Sequence, residues 1–224
     1  MPQFEVVSVP EFLAEGSAIN NLLNPDRVLI GHAKSQRGNQ AYEKMKSLYS
    51  PFVEEERILS METASSEIGK LLANAMLAQR ISAINSISAL CEKVGGNILE
   101  VKKAVASDKR IGPGHLNPSV GFGGSCFRKD ILSLIYILKS EGLEEAAHFW
   151  NSTLLVNEWQ KKRLSRRVLD EVPSTSKSIS ILGLAYKKNT SDTRETPTVK
   201  MLCEIVKGLG KRECVVKLYD PHVT

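Results

Sequence analysis

The sequence predicts an α/β chain in three parts. Residues 1–62 read as a strand–helix–strand piece, residues 63–173 as a helical middle with one long helix, and residues 174–224 as the start of a second strand–helix–strand unit. Three observations lead there. Short β-branched runs such as Arg27-Val28-Leu29-Ile30-Gly31 and Ser178-Ile179-Ser180-Ile181-Leu182-Gly183-Leu184 flank helical patterns at both ends of the chain. An apolar pattern of helical period runs from the capping hydroxyls of Thr63, Ser65 and Ser66 to Gly95-Gly96 without a proline. The 224 residues are 42% hydrophobic, which is enough to bury a core.

In the first part, Phe4–Val9, Arg27–Gly31 and Arg57–Ser60 read as strands and Ala41–Tyr49 as a helix. That is half of a doubly wound, Rossmann-like sheet. No Gly-x-Gly-x-x-Gly follows a strand near the start, so a dinucleotide-binding reading expects its phosphate-binding half to be missing. In the middle part Ile68, Leu71, Leu72, Ala75, Met76, Ile81, Ile84, Ile87 and Leu90 carry the long helix. A helix of about thirty residues is long for one globular domain and predicts a domain link or packing against a second subunit. Lys70, Asn74, Leu77 and Ile81 share one stripe, so Lys70 is expected to be partly buried, either with a partner or with its ammonium snorkelling into water. Further helices are expected at about 98–106, 126–140 and 144–171. After the linker-like Val172-Pro173-Ser174-Thr175-Ser176, a strand from Ser178, a helix over 198–207 and a strand over 215–220 begin a second Rossmann-like unit. Lys187 and Lys188 follow its first strand at the edge where open α/β sheets bind ligands, and Arg194 lies in the same loop; a solvated basic loop is the alternative.

Several classes fall away. No apolar run reaches the roughly 18 residues of a membrane span, and the N-terminus lacks the pattern of a secretory signal. Cys91, Cys126, Cys203 and Cys214 form no Cys-x-x-Cys pair and have no histidine cluster, so no metal site is expected. They read as buried free thiols of a reducing cytoplasm. The net charge of +5 is dispersed, which argues against nucleic acid and suits a small anionic ligand.

The densest chemistry lies in Ser119-Val120-Gly121-Phe122-Gly123-Gly124-Ser125-Cys126-Phe127-Arg128-Lys129-Asp130. Glycines permit close approach of a ligand to the main chain. Cys126 opens a helical pattern, where the positive helix end favours a thiolate, and Asp130 follows four residues on, on the same face. A glycine loop, an activated sulfur and a carboxylate together point to covalent catalysis rather than to a structural cysteine after a turn.

These residues carry a resemblance. The run just quoted, Pro10-Glu11-Phe12-Leu13-Ala14-Glu15-Gly16, Asn24-Pro25-Asp26-Arg27-Val28-Leu29-Ile30-Gly31, Lys70-x-x-x-Asn74-Ala75, Arg110-Ile111-Gly112, Leu182-Gly183-Leu184-Ala185-Tyr186-Lys187-Lys188-Asn189-Thr190 and Asp192-Thr193-Arg194-Glu195-Thr196-Pro197 resemble the UDP-glucose/GDP-mannose dehydrogenase family, in family order. The resemblance implies an NAD-dependent four-electron oxidation of UDP-glucose to UDP-glucuronate through a cysteine thiohemiacetal and thioester. It implies Cys126 as nucleophile, Lys70 as the cation at developing oxyanions, Asp130 and Asn74 beside the water, and Glu11 as an acid/base residue. A helix-start carboxylate is the plainer reading of Glu11. Phe12, Leu13, Arg110, Phe122, Gly123 and Lys187 are implied at the UDP-sugar, and Glu15, Lys129 and Arg194 at the cofactor. A homo-oligomer through the long helix is implied too.

Some positions depart from the family pattern: Val9 for Asn, His32 for Gly, His115 for Phe, and Arg128 for Pro or Gln. The glycine-rich phosphate loop and the remainder of the UDP-binding part have no counterpart, so weak NAD binding is expected of the chain as given. The alternatives are a sister dehydrogenase of GDP-mannose or a UDP-N-acetylhexosamine, and a non-catalytic remnant that dimerises through its long helix.

Overall fold

The computed structural model describes residues 4–173 and 175–223. The first residues of the N-terminal segment and Ser174 of the expected linker lie outside the described residues. The chain divides into two compact units, residues 1–73 and 74–224.

The first unit is built on two parallel strands, β1 (Val28–His32) and β2 (Ile58–Glu62), paired from Val28↔Ile58 to His32↔Glu62. Helix α2 (Gln36–Tyr49) connects them and starts five residues before the predicted Ala41, because Ser35 Oγ accepts the Gly38 N–H at 2.9 Å and caps it. Val28, Ile30, Val53 and Ile58 form the core, with Val9, Tyr42, Met45 and Tyr49 packed on it. Each such buried side chain contributes roughly 1.5–3 kcal/mol. The expected strand over Phe4–Val9 does not form. Only Ser8 pairs, exchanging two backbone hydrogen bonds with Gly31 at 2.8 and 2.7 Å. Phe4 is 82% exposed and Val6 is exposed as well, so the alternation has no apolar face to bury. A short helix that the sequence reading did not contain, α1 (Ala18–Leu23), buries none of its residues.

Helix α3 (Thr63–Val94) follows β2 without a loop; its residues 63–73 belong to the first unit and 74–94 to the second. It ends as expected at Gly95, where φ is 77° and the Gly96 N–H reaches back to the Cys91 carbonyl at 2.8 Å. The second unit adds α4 (Ile98–Ala106), α5 (Ser125–Ser140), α6 (Glu144–Glu171), the parallel pair β3 (Ser178–Leu182) and β4 (Val215–Tyr219), and α7 (Pro197–Leu209). Its core joins Ala75 and Ala78 of α3, Phe122 of the loop before α5, Ile131, Leu134 and Ile135 of α5, and Ala147 and Leu154 of α6. Alanines at the α3 positions let the helices approach closely.

Of the structural cysteines expected to be buried, Cys91 is buried, Cys214 is half-buried and Cys203 is exposed; Cys126, expected as a reactive sulfur, is exposed. Cys203 is exposed because α7 buries the stripe of Pro197, Ile205 and Leu209, and position 203 falls off that stripe. Among the described residues, no helix is long and apolar enough to cross a membrane, and no group of three or more His, Cys, Asp or Glu side chains could hold a metal.

Candidate active site

In the second unit the glycine run leads directly into α5. Gly124, at φ 80°, is the last residue before the helix, and Cys126 is exposed in its first turn. Ser125 Oγ lies 3.8 Å from the Cys126 sulfur. One turn on, Asp130 is 3% exposed. Its Oδ2 accepts from the Asn74 side-chain amide at 2.6 Å, and its Oδ1 lies 3.3 Å from Lys129 Nζ. The structure thus brings Cys126, Asp130, Asn74 and Lys129 onto α5 and the adjoining turn of α3. An open groove of about 880 Å³ beside them is lined by Ser125, Arg128, Lys129, Tyr136 and Arg194.

The glycines of this loop face protein. A Cβ on Gly123 would lie 2.6 Å from the Glu195 carbonyl oxygen and 2.7 Å from Pro197 Cδ. One on Gly124 would lie 2.8 Å from the Tyr186 ring. The loop is therefore packed against the turn before α7, and the Gly124 N–H donates to the Arg194 carbonyl at 3.0 Å. Phe122 is buried in the core, edge-on to Phe127 at 5.8 Å. On the other side of the loop, Asn157 of α6 bonds both polar groups of Phe122: its Oδ1 accepts the N–H at 2.9 Å and its Nδ2 donates to the carbonyl at 3.1 Å.

Beneath the loop sits a pair that the sequence reading missed. Lys161, whose side chain is 5% exposed, donates to Glu158 at 2.8 Å, and Lys200 reaches the same carboxylate at 3.4 Å. Burial pushes the Lys161 ammonium below the usual lysine range, and the Glu158 partner only partly opposes this. Burial pushes Glu158 up, but the hydrogen bond from Lys161 and the charges of Lys161 and Lys200 bring it below the usual carboxylate range. The two partners point opposite ways: the pair favours the carboxylate without restoring the hydration the ammonium has lost. Leu154, Asn157 and Lys161 at helical spacing on α6 were the available signal.

In the first unit, Glu11 is exposed in irregular chain, not at a helix start, with its Oε2 accepting the Leu13 N–H at 2.6 Å. Lys70 is partly buried and does have partners. Its ammonium donates to the Glu11 carbonyl at 2.5 Å, lies 3.7 Å from the Glu11 carboxylate, and sits 5.0 Å from the Phe12 ring centroid. Arg27 stacks on the same ring at 4.0 Å. Glu11, Phe12, Leu13 and Arg27 line a cleft of about 110 Å³. Glu15 is exposed just before α1.

The remaining candidates lie in loops of the second unit. Arg110 is exposed and clasps Asp108 through Nε and Nη2, holding the Asp108 carboxyl below its usual range. Arg80 fixes that loop by donating to the Gly112 and Gly114 carbonyls at 2.8 and 2.7 Å. Lys187 lies 5.7 Å from the Tyr186 ring in the loop after β3. Arg194 holds Asp192 through Nε and Nη2.

Three models of one family match this chain: the NAD binding domain of the UDP-glucose/GDP-mannose dehydrogenase family at residues 1–53, its central domain at 64–159 and its UDP binding domain at 180–224. UDP-glucose 6-dehydrogenase 1 of Glycine max is 49% identical over 224 residues, and UDP-glucose 6-dehydrogenase 3 of Arabidopsis thaliana is 49% identical over the same length. Each match covers 99% of this chain and 46% of the relative, so the chain spans about half the length of the curated relatives it matches. A UDP-glucose dehydrogenase structure from Pyrobaculum islandicum superposes with a TM-score of 0.85 at 34% identity, over 98% of this chain and 48% of that one. A UDP-D-ManNAc dehydrogenase structure from Pyrococcus horikoshii gives 0.76 at 27%, over 99% and 50%. With all three domain models in family order and half of the residues shared with the plant enzymes, the chain belongs to the UDP-glucose/GDP-mannose dehydrogenase family.

Proposed function

We propose that this chain carries the catalytic part of an NAD-dependent UDP-glucose 6-dehydrogenase, which oxidises UDP-glucose to UDP-glucuronate. The observation that carries the reading is the exposed Cys126 in the first turn of α5, one turn before a buried Asp130 held by Asn74 at 2.6 Å. The nucleophile is open to a substrate, and the carboxylate beside it is oriented by a neutral donor.

The chemistry follows from those groups. The C6 alcohol loses a hydride and a proton to become an aldehyde. The Cys126 thiolate adds to its carbonyl carbon, forming an S–C bond and a thiohemiacetal. Loss of a second hydride and a proton gives a thioester. Water then adds to the thioester carbon, the S–C bond breaks, and the acid leaves with the thiolate restored. NAD, when bound, accepts the hydride at both oxidations. Asp130 and Asn74 suit the hydrolytic step, as a carboxylate and an amide able to orient a water. Lys70 is the cation for the developing oxyanions by resemblance, and Glu11 the acid/base group. Phe12, Leu13, Arg110, Phe122, Gly123 and Lys187 are assigned to the UDP-sugar. Phe122 has its ring in the core and both its backbone polar groups on Asn157, so its part in that role is to shape the loop.

Glu15, Lys129 and Arg194 are assigned to the cofactor. Lys129 and Arg194 fit an anionic dinucleotide, since both border the open groove beside Cys126. The positions of the three family models support a three-part division at 62/63 and 173/174. A homo-oligomer through α3 is supported by the exposed apolar side chains Met76, Ile87, Leu90 and Val94. Four free thiols agree with a cytoplasmic setting.

The test is incubation of this chain, and of an extended chain that carries a glycine-rich phosphate loop and a whole UDP-binding part, with UDP-glucose and NAD, reading NADH absorbance and the mass of the sugar nucleotide; the outcomes that follow are those of the extended chain. UDP-glucuronate is expected, and Cys126→Ser is expected to abolish net acid formation. Acid formation undiminished in Cys126→Ser overturns the covalent route.

A further inference from the structure

We propose that Asn157 is a positioning residue for Cys126, an inference that rests on the covalent reading above and extends it. Asn157 lies on α6, is 3% exposed, and directs both hydrogen bonds of its amide at Phe122, four residues before the sulfur. One side chain bonding both the N–H and the carbonyl of a single residue imitates a neighbouring strand: it fixes the position and the tilt of that peptide together.

The same helix face holds the loop once more. Gln160, one turn on, donates to the Ser119 carbonyl at 2.8 Å, while Asn85 of α3 accepts the Ser119 N–H at 2.8 Å. At the far end, the Gly124 N–H is held by the Arg194 carbonyl. The loop is thus tied at its start, middle and end. Gly121 completes the clamp, because a Cβ there would lie 2.6 Å from Asn157 Oδ1.

These amides bond Phe122 and Ser119, so Asn157 acts on the sulfur through the loop. A leucine would fill the same volume without satisfying Phe122, and a buried peptide without partners loosens its segment. The first turn of α5 then frays, and Cys126 loses the fixed place at the positive end of the helix that the loop gives it.

The experiment uses Asn157→Asp and Asn157→Leu. Asp keeps the acceptor for the Phe122 N–H but turns an oxygen on the Phe122 carbonyl; Leu removes both bonds. Iodoacetamide alkylation is followed residue by residue by mass spectrometry, with exposed Cys203 as the internal reference, alongside amide hydrogen exchange. In both variants Cys126 is expected to alkylate at least about fivefold more slowly, with Cys203 within about twofold of the parent. Exchange is expected to rise at residues 119–124 and not along α6. If Leu does not fold, Asp decides. Unchanged or faster alkylation of Cys126 overturns the proposal. Loss of helical signal in both variants overturns it as well, since Asn157 would then serve the fold as a whole. A parent chain whose Cys126 alkylates more slowly than Cys203 overturns the covalent reading and the proposal with it.

Discussion

The side-chain amide of Asn74 donates to the buried carboxylate of Asp130 at 2.6 Å, across 56 residues of chain. Asp130 has the Lys129 ammonium at 3.3 Å on its other oxygen, but that ammonium is largely exposed and screened. Asn74 is therefore its main buried partner. Asn74→Leu is expected to cost about 1–3 kcal/mol, because it strands a buried carboxylate. Adding Asp130→Asn is expected to return part of that loss. Urea denaturation of the two single variants and the double variant measures the coupling.

Gly123→Ala is expected to destabilise by about 1–3 kcal/mol, because its Cβ would press on the Glu195 carbonyl and on Thr196 Cα, which are backbone atoms that cannot rotate away. Gly114→Ala meets nothing within 4 Å and is expected to stay within about 0.5 kcal/mol of the parent. Thermal unfolding of both variants separates a packing requirement in the loop from a general intolerance of side chains at glycines.

Lys161 and Glu158 are expected to respond unequally to removal. Glu158→Gln leaves a buried ammonium with Lys200 as a like-charged neighbour and is expected to lose about 1–3 kcal/mol, the partial exposure of Glu158 limiting the loss. Lys161→Met keeps the length and removes the desolvated charge, so stability is expected to be equal or higher. Equal losses from both would show that the pair repays its burial. Denaturant midpoints decide between these outcomes.

Asp220 at the end of β4 accepts the N–H groups of Leu184, Ala185 and His222 at 2.7, 3.0 and 2.8 Å. These backbone bonds, Ala185's foremost, lower its carboxyl from 3.8 to about 2. The folded value lies below the unfolded one, so the stabilisation is complete above about pH 4 and is lost as pH falls from there through about 2. Asp220→Asn is expected to flatten the stability curve in that window and leave it unchanged at neutral pH in slope. A carboxyl titration of Asp220 by NMR, with a midpoint in the ordinary range, would contradict the assignment.

Periodicity was sufficient for α3 to α7 because their signals are local, while the non-periodic α1 and the first turn of α2 escaped it. The stripe of Ile131, Leu134 and Ile135 marks α5, the Gly95-Gly96 stop marks the end of α3, and the four-residue step from Cys126 to Asp130 puts both on one helix face. Phe4–Val9 misleads because alternation says nothing about whether a sheet edge and a covering layer exist; the chain supplies one bridge at Ser8 and leaves Phe4 in solvent. The loop glycines suggest room for a ligand, yet at positions 123 and 124 the neighbours are Glu195, Pro197 and Tyr186, which lie some sixty to seventy residues further along.

The amino-acid order alone determined the helices α3 to α7, the strand segments β1 to β4, and the presence of a cysteine, a carboxylate and a glycine turn in one short segment, since each rests on spacings within a few residues. Only the tertiary structure decided that Asp130 is buried under Asn74, that Asn157 and Gln160 tie the loop before Cys126, and that Lys161 is buried against Glu158. Burial and long-range hydrogen bonding depend on which distant segments meet in space, and residue spacing carries no record of that.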